Sequence, residues 1–309
     1  MPVVLISGGT GLIGRNLTRH LTDRGYEVII LSRTKKTSGN PQISYSFWNV
    51  EKQLIDVEAI KKSDHIIHLA GAGVMDKKWT PEYQKQIVDS RVKSAQLLVK
   101  TLKENEHNVK TFVSAAAIGI YGSDAKPPIR KEGFIETDLA ADDFLGATCL
   151  LWEASTEPAA ELGIRVVRLR TGIVLSEQGG MFKELKKPLN FGVASIFGNG
   201  KQVVSWIHID DLSRMYISVI EDQYLNGNYN AVAPCPVRQK QLMVLLGEKL
   251  RHKFYTPIHV PSFLLKIILG KRSIELLKSA TVCDKKIKTA GFTFLYPTIE
   301  AALEELLSE

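Results

Sequence analysis

Residues 3–14 have the sequence Val-Val-Leu-Ile-Ser-Gly8-Gly-Thr-Gly11-Leu-Ile-Gly14. An apolar run is followed by three glycines with the spacing GxxGxxG, and an amphipathic stretch begins at Arg15. In a strand–turn–helix unit the first glycine allows a tight turn, the second lets the backbone approach a pyrophosphate, and the third lets helix and strand pack closely. The pyrophosphate is held by the N–H groups and dipole at the start of the helix. We therefore predict a dinucleotide site formed by Gly8, Thr10, Gly11, Leu12, Ile13 and Gly14.

The end of the second apolar run indicates which dinucleotide is bound. Ser32 and Arg33 stand where an NAD-specific site places a carboxylate, about 20 residues after the glycines. A carboxylate would repel a 2′-phosphate, whereas the guanidinium of Arg33 can form charge-assisted hydrogen bonds with it. Lys35 and Lys36 either strengthen this positive field or belong to a solvated loop. We therefore expect NADP(H) in preference to NAD(H).

Short apolar runs alternate with longer amphipathic stretches through the first half of the chain. The runs cover residues 3–7, 27–32, 65–70, 110–115 and 164–169, and the expected helices cover 15–24, 84–105 and 142–162. Such alternation is typical of βαβ units. It predicts an α/β fold, a Rossmann-type doubly wound parallel sheet, with a smaller C-terminal α/β unit on the substrate side.

The composition of the chain changes in its second half. Glycines become frequent after Ser176, and Pro234 and Pro236 precede further helices expected at 239–250 and 298–307. Turn-rich segments of this kind often carry the variable, substrate-facing part of a fold. We place the boundary so that residues 1–232 form the dinucleotide-binding domain and residues 233–309 a small C-terminal domain that contributes to the substrate cleft.

Composition excludes several classes of protein. Hydrophobic residues make up 44% and charged residues 24% of the 309 residues, which is typical of a globular protein. The net charge is +7, but basic and acidic residues are interspersed, so we expect no nucleic-acid partner. Three dispersed cysteines predict a reducing compartment and no structural metal. No apolar run reaches the roughly 18–20 residues that span a membrane, and Met1 leads directly into the first strand, so we expect a cytoplasmic protein with no membrane partner.

Four further segments support the interpretation of the glycine-rich turn. They are His68–Gly71, Ser114–Gly122, Arg168–Leu175 and Ser205–Leu212. Together with residues 8–14 they resemble the extended short-chain dehydrogenase/reductase family, which contains nucleotide-sugar epimerases and dehydratases. Residues 144–153, 205–212 and 291–297 resemble its atypical, NAD-dependent epimerase/dehydratase-like subfamily. Members of that subfamily end in a small C-terminal domain and are described as nucleoside-diphosphate-sugar epimerases or cell-division inhibitors.

The resemblance implies further cofactor contacts at the ends of the central strands. Small residues after His68 suit a backbone that passes close to a nucleotide, and His68 itself is expected to be packed rather than to act as a base. The cofactor contacts implied are Leu69, Ala70, Gly71, Arg91, Ser114, Ala115, Arg168, Thr171 and Gly172.

The catalytic residues depart from the family pattern. That pattern is an Asn, a Ser or Thr, and a Tyr-x-x-x-Lys pair in which the lysine lowers the tyrosine pKa. Alignment by the flanking residues places Arg91 in the Asn slot, Ala116 in the Ser slot, and Cys149 and Glu153 in the Tyr and Lys slots. All four standard roles are lost. The remaining candidates for catalysis are Tyr121, Cys149, Glu153 and His208.

Each of these candidates also has a structural interpretation. A glutamate one helical turn from Cys149 raises the pKa of the thiol, which favours a small packed residue over a nucleophile. On the substrate side, Gln202, Trp206, His208 and Asp210 either face the substrate or support the fold. Asp210 and Asp211 are alternatively the cap of a helix that starts near Leu212.

Two functions therefore stay open. The first is an NADP(H)-binding oxidoreductase or epimerase-like isomerase with an altered catalytic tetrad. It would act on a small polar substrate, with a sugar nucleotide as one candidate. The second is a non-catalytic NADP(H)-binding regulatory protein, as the cell-division description implies. A homodimer is the assembly we would test first.

Overall fold

The computed structural model describes residues 1–124, 132–252 and 254–308, and the elements below are those of these residues. The strands are β1 (Val3–Ser7), β2 (Glu27–Ser32), β3 (Ile43–Asn49), β4 (Leu54–Ile55), β5 (His65–His68), β6 (Thr111–Ala117), β7 (Arg165–Thr171), β8 (Ile173–Leu175), β9 (Val193–Phe197), β10 (Val203–Val204), β11 (Trp206–His208), β12 (Gly227–Ala231), β13 (Val237–Arg238) and β14 (Thr256–Val260).

The α-helices are α1 (Leu12–Asp23), α2 (Val57–Lys61), α3 (Pro81–Glu104), α4 (Phe144–Ala154), α5 (Gly180–Leu189), α6 (Ile209–Glu221), α7 (Gln239–Arg251), α8 (Ser262–Leu269), α9 (Ser273–Leu277), α10 (Lys285–Thr289) and α11 (Ile299–Leu306). Short 3-10 helices cover Ile118–Ile120, Glu157–Leu162 and Gly270–Arg272. No helix of the described residues is both long and apolar enough to cross a membrane.

Eight strands form one sheet in the order β12-β7-β6-β5-β1-β2-β3-β4. All neighbours in it are parallel except β3 and β4. The strand order reverses between β1 and β5, where Ser7 lies opposite His68 at the carboxyl ends. Ligands of open α/β sheets bind in the crevice at this point. The predicted doubly wound sheet is confirmed.

Both faces of the sheet are covered by helices, which explains why its central strands are apolar throughout. Val4 and Ile6 of β1 share a core with α1 and α6. Leu5, which points to the opposite face, joins a second core with α2 and α3. The glycine-rich turn is therefore held at the edge of a sheet that is fixed from both sides.

A second packing unit consists of α5, β9, α7 and α11, and we call it the substrate-side unit after its expected role. It has a core of its own. Phe182 of α5, Leu242 and Leu246 of α7, and Leu303 of α11 are buried together with Trp206. Helix α5 and β9 precede residue 233, yet they pack with helices that follow it. This packing unit starts earlier in the chain than the boundary that we placed at residue 233, and the boundary itself stays a prediction.

Helix ends differ from the sequence expectations for local reasons. Helix α3 begins at Pro81 rather than residue 84 because the side chain of Thr80 caps it. The helix expected over 142–162 ends at Ala154, and a 3-10 turn containing Pro158 follows, since proline cannot continue an α-helix. Helix α6 begins at Ile209 with His208 as its N-cap, so Asp210 and Asp211 lie in its first turn rather than capping a helix at Leu212.

Candidate functional site

The β1–α1 turn brings two strand ends and a helix into close contact. Gly8 has a φ of +74°, and a Cβ atom there would lie 2.8 Å from the carbonyl carbon of Leu69. A Cβ atom at Gly14 would lie 2.5 Å from the carbonyl oxygen of Gly8. Only glycine fits either position without a shift of the backbone. These are the structural roles predicted for the first and third glycines.

A glycine outside the GxxGxxG spacing is equally constrained. A Cβ atom at Gly9 would lie 2.8 Å from the side chain of Ile30 on β2. The pair Gly8-Gly9 is visible in the sequence, but the need for glycine at position 9 depends on which strand lies beside it. Sequence reasoning therefore missed Gly9.

The start of α1 is open to a ligand. Gly11 is the N-cap, and no side chain of the described residues caps this end of the helix. The first N–H groups of a helix need partners from outside the helix, and an anion is the usual one. The carbonyl of Thr10 accepts a hydrogen bond from Nη1 of Arg15, 2.8 Å away, which fixes the turn before Leu12 and Ile13. These residues thus fit a pyrophosphate.

A second loop lies against the turn. A Cβ atom at Gly180 would lie 3.3 Å from Cδ2 of Leu12, and one at Gly179 would lie 3.5 Å from Cδ1. The loop between β8 and α5 therefore packs on the side chain of Leu12, the first residue of α1. Its glycines were noted only as turn formers, because nothing in the sequence places them beside Leu12.

The end of β2 presents a positive charge. Arg33 is exposed, and so are Lys35 and Lys36. The hydroxyl of Ser32 donates a hydrogen bond to the carbonyl of Thr34 at 2.8 Å, which orders the turn from which Arg33 projects. The position predicted to select a 2′-phosphate is therefore accessible.

His68, at the end of β5, is a packed residue, as expected. Its Nδ1 lies 2.6 Å from the hydroxyl of Ser7, and its Nε2 lies 3.2 Å from that of Ser94. Burial lowers the pKa of His68 to about 4. The neutral ring ties β1, β5 and α3 together directly beneath Leu69 and Ala70.

Arg91 supports the loop that follows β5. Its Nη1 donates to the carbonyls of Ala72 and Ile87 at 3.0 and 2.9 Å, and its guanidinium lies 4.9 Å from the ring centre of Trp152. A Cβ atom at Gly71 would lie 3.0 Å from Cζ of Arg91. The residue in the family's Asn slot is therefore placed beside Gly71, where it holds the backbone.

The ends of β6 and β7 complete the same edge of the sheet. Ser114 and Ala115 are buried within β6, where the hydroxyl of Ser114 donates to the carbonyl of Ala115. Thr171 ends β7, and a Cβ atom at Gly172 would lie 2.6 Å from the carbonyl oxygen of Ser205. Gly172 is thus needed where the Rossmann sheet meets β11.

The side chain of Arg168 contacts residues outside the predicted cofactor site. Its Nε donates to the hydroxyl of Thr156 at 2.8 Å, and its guanidinium also binds Asn228 and Glu157. These contacts place the side chain of Arg168 against the 3-10 turn Glu157–Leu162 that follows α4. They give no support to its predicted place in the cofactor site.

Tyr121 and Glu153 are joined by a residue that sequence reasoning did not single out. Arg170 forms a two-point ion pair with Glu153, with distances of 2.8 and 2.9 Å, and donates to the hydroxyl of Tyr121 at 2.8 Å. That hydroxyl donates to Oδ1 of Asn230 at 2.7 Å. Burial raises the pKa of Tyr121 to about 12. Both candidates are committed to this buried network, which favours structural roles.

Cys149 is buried behind the 3-10 turn that follows β6. A Cβ atom at Gly119 would lie 3.9 Å from its Sγ. Burial, and then the charge of Glu153, raise the pKa of the thiol to about 12. At neutral pH the group is a thiol, which is a poor nucleophile. The structure agrees with the packed interpretation of this residue.

His208 connects the substrate-side unit to α6. Its Nε2 lies 2.7 Å from a carboxylate oxygen of Glu305, and its Nδ1 accepts from the backbone N–H of Asp210 at 3.2 Å. The ring packs on Tyr296, with 4.0 Å between ring centres. It is buried, and both ring nitrogens have partners, so its catalytic role finds no support here.

A cavity of about 80 Å³ lies between the Rossmann sheet and the substrate-side unit. Ile118, Gly119 and Ile173 line it from the sheet side, and Gln202, Leu242 and Lys278 line it from the other side. Of the predicted substrate-side residues, Gln202 is in this wall. Trp206 instead donates to the carbonyl of Cys235, and Asp210 accepts from His20 and Asn16.

The chain matches two family profiles. The NAD dependent epimerase/dehydratase family matches residues 4–231, and a domain of unknown function, DUF1731, matches residues 260–306. The epimerase family protein SH2119 of Staphylococcus haemolyticus is 35% identical over 310 residues, which cover 99% of each chain.

Solved structures agree with this assignment. The human epimerase family protein SDR39U1 with NADPH superposes with a TM-score of 0.85 at 26% identity, covering 99% of both chains. A nucleoside-diphosphate sugar epimerase from Corynebacterium glutamicum has a TM-score of 0.78 at 32% identity. The match covers 100% of this chain and 59% of that one.

Proposed function

The chain belongs to the NAD dependent epimerase/dehydratase family, and on that premise we propose that it is an NADP(H)-dependent oxidoreductase with an altered catalytic set. The observation that carries this proposal is the β1–α1 turn. There Gly8 abuts the end of β5 at the reversal of strand order, and α1 starts without a side-chain cap. The nicotinamide, when bound, supplies or accepts a hydride.

The roles of the chain's own residues follow from their positions. The backbone N–H groups of Leu12 and Ile13, at the uncapped start of α1, would hold the pyrophosphate. Leu69, Ala70 and Gly71 would contact the nucleotide, and Arg91 supports their loop through its hydrogen bond to the carbonyl of Ala72 and its contact with Gly71. Ser114 and Ala115 lie in β6 beside the end of β5, and Thr171 and Gly172 lie at the end of β7.

We assign NADP(H) rather than NAD(H) on the strength of Arg33. No carboxylate stands at the end of β2, and the guanidinium of Arg33 is exposed in the turn that Ser32 orders. The solved human relative, at 26% identity, is described with NADPH, which supports the same choice.

The test of this assignment is Arg33→Asp. Loss of charge-assisted hydrogen bonds to the 2′-phosphate costs about 1.5–3 kcal/mol, or roughly a 10- to 150-fold weaker affinity. We expect that loss for NADPH in a fluorescence titration, with NADH binding unchanged or improved. Lys62→Asp makes the same change of charge before β5, at the amino end of the strands, and should alter neither affinity. Equal weakening of NADPH and NADH by Arg33→Asp would contradict the assignment.

The second candidate is a non-catalytic NADP(H)-binding regulator. The buried thiol of Cys149 and the Glu153–Arg170 pair favour it, because they occupy the slots of the usual Tyr and Lys. The two candidates differ in turnover. Oxidation of NADPH by a panel of small carbonyl compounds supports the oxidoreductase, whereas tight NADPH binding with no turnover across that panel supports the regulator.

A further inference from the structure

We propose that helix α8 binds the surface of an anionic lipid bilayer, with its exposed apolar side chains among the acyl chains and neighbouring lysines at the headgroups. This goes beyond the proposed function, because α8 carries none of the residues assigned to the cofactor. The inference depends on which side chains of α8 are exposed, on the area they present, and on the charge of the segment around them.

Helix α8 exposes its apolar side chains instead of burying them. Leu265 is the one buried residue of this helix. Positions i, i+1, i+4 and i+5 share one side of a helix. The side chains at these positions form a surface that we call the α8 face, and they are Phe263, Leu264, Ile267 and Ile268. Their exposed fractions run from 39% to 74%. A surface helix normally turns its apolar side towards the core, so the α8 face is the reverse of the usual pattern.

The helix is held at its carboxyl end. Its main contacts are with the two short elements that follow it, the 3-10 turn Gly270–Arg272 and α9. Nη1 of Arg272 donates to the carbonyl of Met75 at 2.6 Å, and the hydroxyl of Ser273 donates to the carbonyl of Gly270 at 2.7 Å. The turn after α8 is therefore fixed to the rest of the chain while the α8 face stays exposed.

The area of the α8 face bears on what covers it. The four side chains expose on the order of 400 Å² of apolar surface, a size at which patches on monomers mark interaction sites. Two copies that met through this face would bury about 800 Å² in total, which is below the roughly 1,200 Å² of a stable specific interface. A second copy of this chain is therefore not the occupant that we propose.

The charge around α8 matches an anionic surface. From residue 249 to residue 274 the sequence has six lysines and arginines and no aspartate or glutamate. Lys266 and Lys271 of this range are exposed. Lys266 lies one helical turn from Phe263, at the border of the α8 face, and Lys271 follows the end of the helix. Helices that bind bilayer surfaces combine such cations with exposed aromatic and aliphatic side chains.

The chemistry of the α8 face favours lipid over a protein partner. Its four side chains are hydrocarbon only, so they would fix no hydrogen-bonded register with a protein, whereas acyl chains need none. Eight residues rise about 12 Å, much less than the roughly 30 Å of a bilayer core. The helix would therefore lie in the plane of the headgroups. We expected no membrane partner because no apolar run could span a bilayer, but an interfacial helix needs no such run.

The experiment measures binding of the full chain to vesicles that are collected by sedimentation. One set contains phosphatidylcholine and phosphatidylserine in equal amounts, and the other contains phosphatidylcholine alone. We expect about 5- to 30-fold tighter binding to the first set, the range for one or two lysines at an anionic surface. This preference should disappear at about 1 M salt, where the Debye length falls to about 3 Å.

Two matched pairs of variants test the residues. Ile267→Ser should weaken binding to the anionic vesicles by about 10-fold or more, because it removes an isoleucine that would be buried in the bilayer. Leu54→Ser, which removes a side chain that is 51% exposed on β4, should bind as the wild type does. Lys266→Gln should reduce the preference for anionic vesicles about fivefold, while Lys103→Gln, at an exposed position near the end of α3, should leave it unchanged.

Several outcomes would overturn the inference. Equal binding to both vesicle sets, or unchanged binding in Ile267→Ser, would show that α8 does not hold the chain on an anionic bilayer. Absence of binding to either set would favour a groove on a protein partner instead. A dimer in sedimentation velocity that dissociates in Ile267→Ser would assign the α8 face to a second copy.

Folding and cofactor binding are checked separately. Circular dichroism establishes whether Ile267→Ser is folded, and Ile268→Ser replaces it if it is not. The folded variant should bind NADPH as tightly as the wild type, since α8 carries none of the proposed cofactor contacts. Failure of the wild type to bind NADPH would refute the proposed function and leave the vesicle result unaffected.

Discussion

Gly8 shows how much of the candidate site follows from single residues. Its spacing from Gly11 and Gly14 predicted a tight turn, and its φ of +74° is one that side chains rarely adopt. Gly9 escaped prediction because its constraint comes from Ile30 on a neighbouring strand. A motif specifies the backbone that it contains, but contacts with distant residues appear only once the strands are placed.

Gly8→Ala should destabilise the protein more than Gly25→Ala. Both glycines have a positive φ, but nothing lies within 4 Å of a Cβ atom at Gly25, whereas at Gly8 the atom meets the backbone of Leu69 at 2.8 Å. Gly25→Ala should cost about 1–2 kcal/mol for the left-handed backbone alone, and Gly8→Ala about 1–3 kcal/mol more for overpacking. Urea unfolding measures both values. Equal losses would show that the approach of β1 to β5 is not tight.

Arg170 of β7 joins several elements that are distant in the sequence. It binds Glu153 of α4, Tyr121 after β6, and the carbonyl of Glu136 in the loop before α4. Tyr121 and Glu153 were candidates for catalysis because their side chains can exchange protons. It contained no sign of Arg170 as their shared partner, because that contact depends on how α4 packs against the sheet.

Glu153→Gln should therefore act mainly on stability. The Arg170–Glu153 pair is 5% and 11% exposed, and breaking a buried pair costs about 3–5 kcal/mol because a charge is left unpaired. Glu184→Gln is the matched control, since Lys187 and Glu184 are 60% and 65% exposed in their pair and the change should cost less than about 1 kcal/mol. Thermal unfolding compares the two variants. Similar small losses of stability in the two variants would contradict this, and Glu153 would again be a candidate for catalysis.

The architecture of the whole chain was predictable in its first part and less so in its second. Alternation of apolar and amphipathic segments gave the parallel sheet, because each βαβ unit is local in sequence. The substrate-side core is assembled from α5, α7 and α11, which are far apart in the chain. No periodicity within any one of them indicates that they share a core, so the part of the cavity lining that α5 and α7 supply could not be foreseen.

The stability of the folded chain should fall in mild acid because of His68. Its pKa is about 4 in the folded state against 6.5 for an ordinary histidine, so the unfolded chain takes up the proton first. The neutral His68 ring makes its full contribution to the free energy of unfolding above about pH 6.5. That contribution, up to about 3 kcal/mol, is lost as the pH falls towards 4.

Urea unfolding at pH 7 and pH 4.5 tests this. His68→Asn should reduce the difference in the free energy of unfolding between the two pH values. His252→Asn, at an exposed position, should leave that difference as it is in the wild type. An unchanged difference in His68→Asn would assign the acid sensitivity to other groups.

The shared core of α5, α7 and α11 has a consequence for how such proteins diversify. A chain cut after residue 232 would leave Phe182 and Leu185 facing water. Recombination that exchanged the C-terminal segment alone would join surfaces that had never been selected together. A chimaera that keeps its stability should therefore carry α5 and β9 from the same parent as the C-terminal segment.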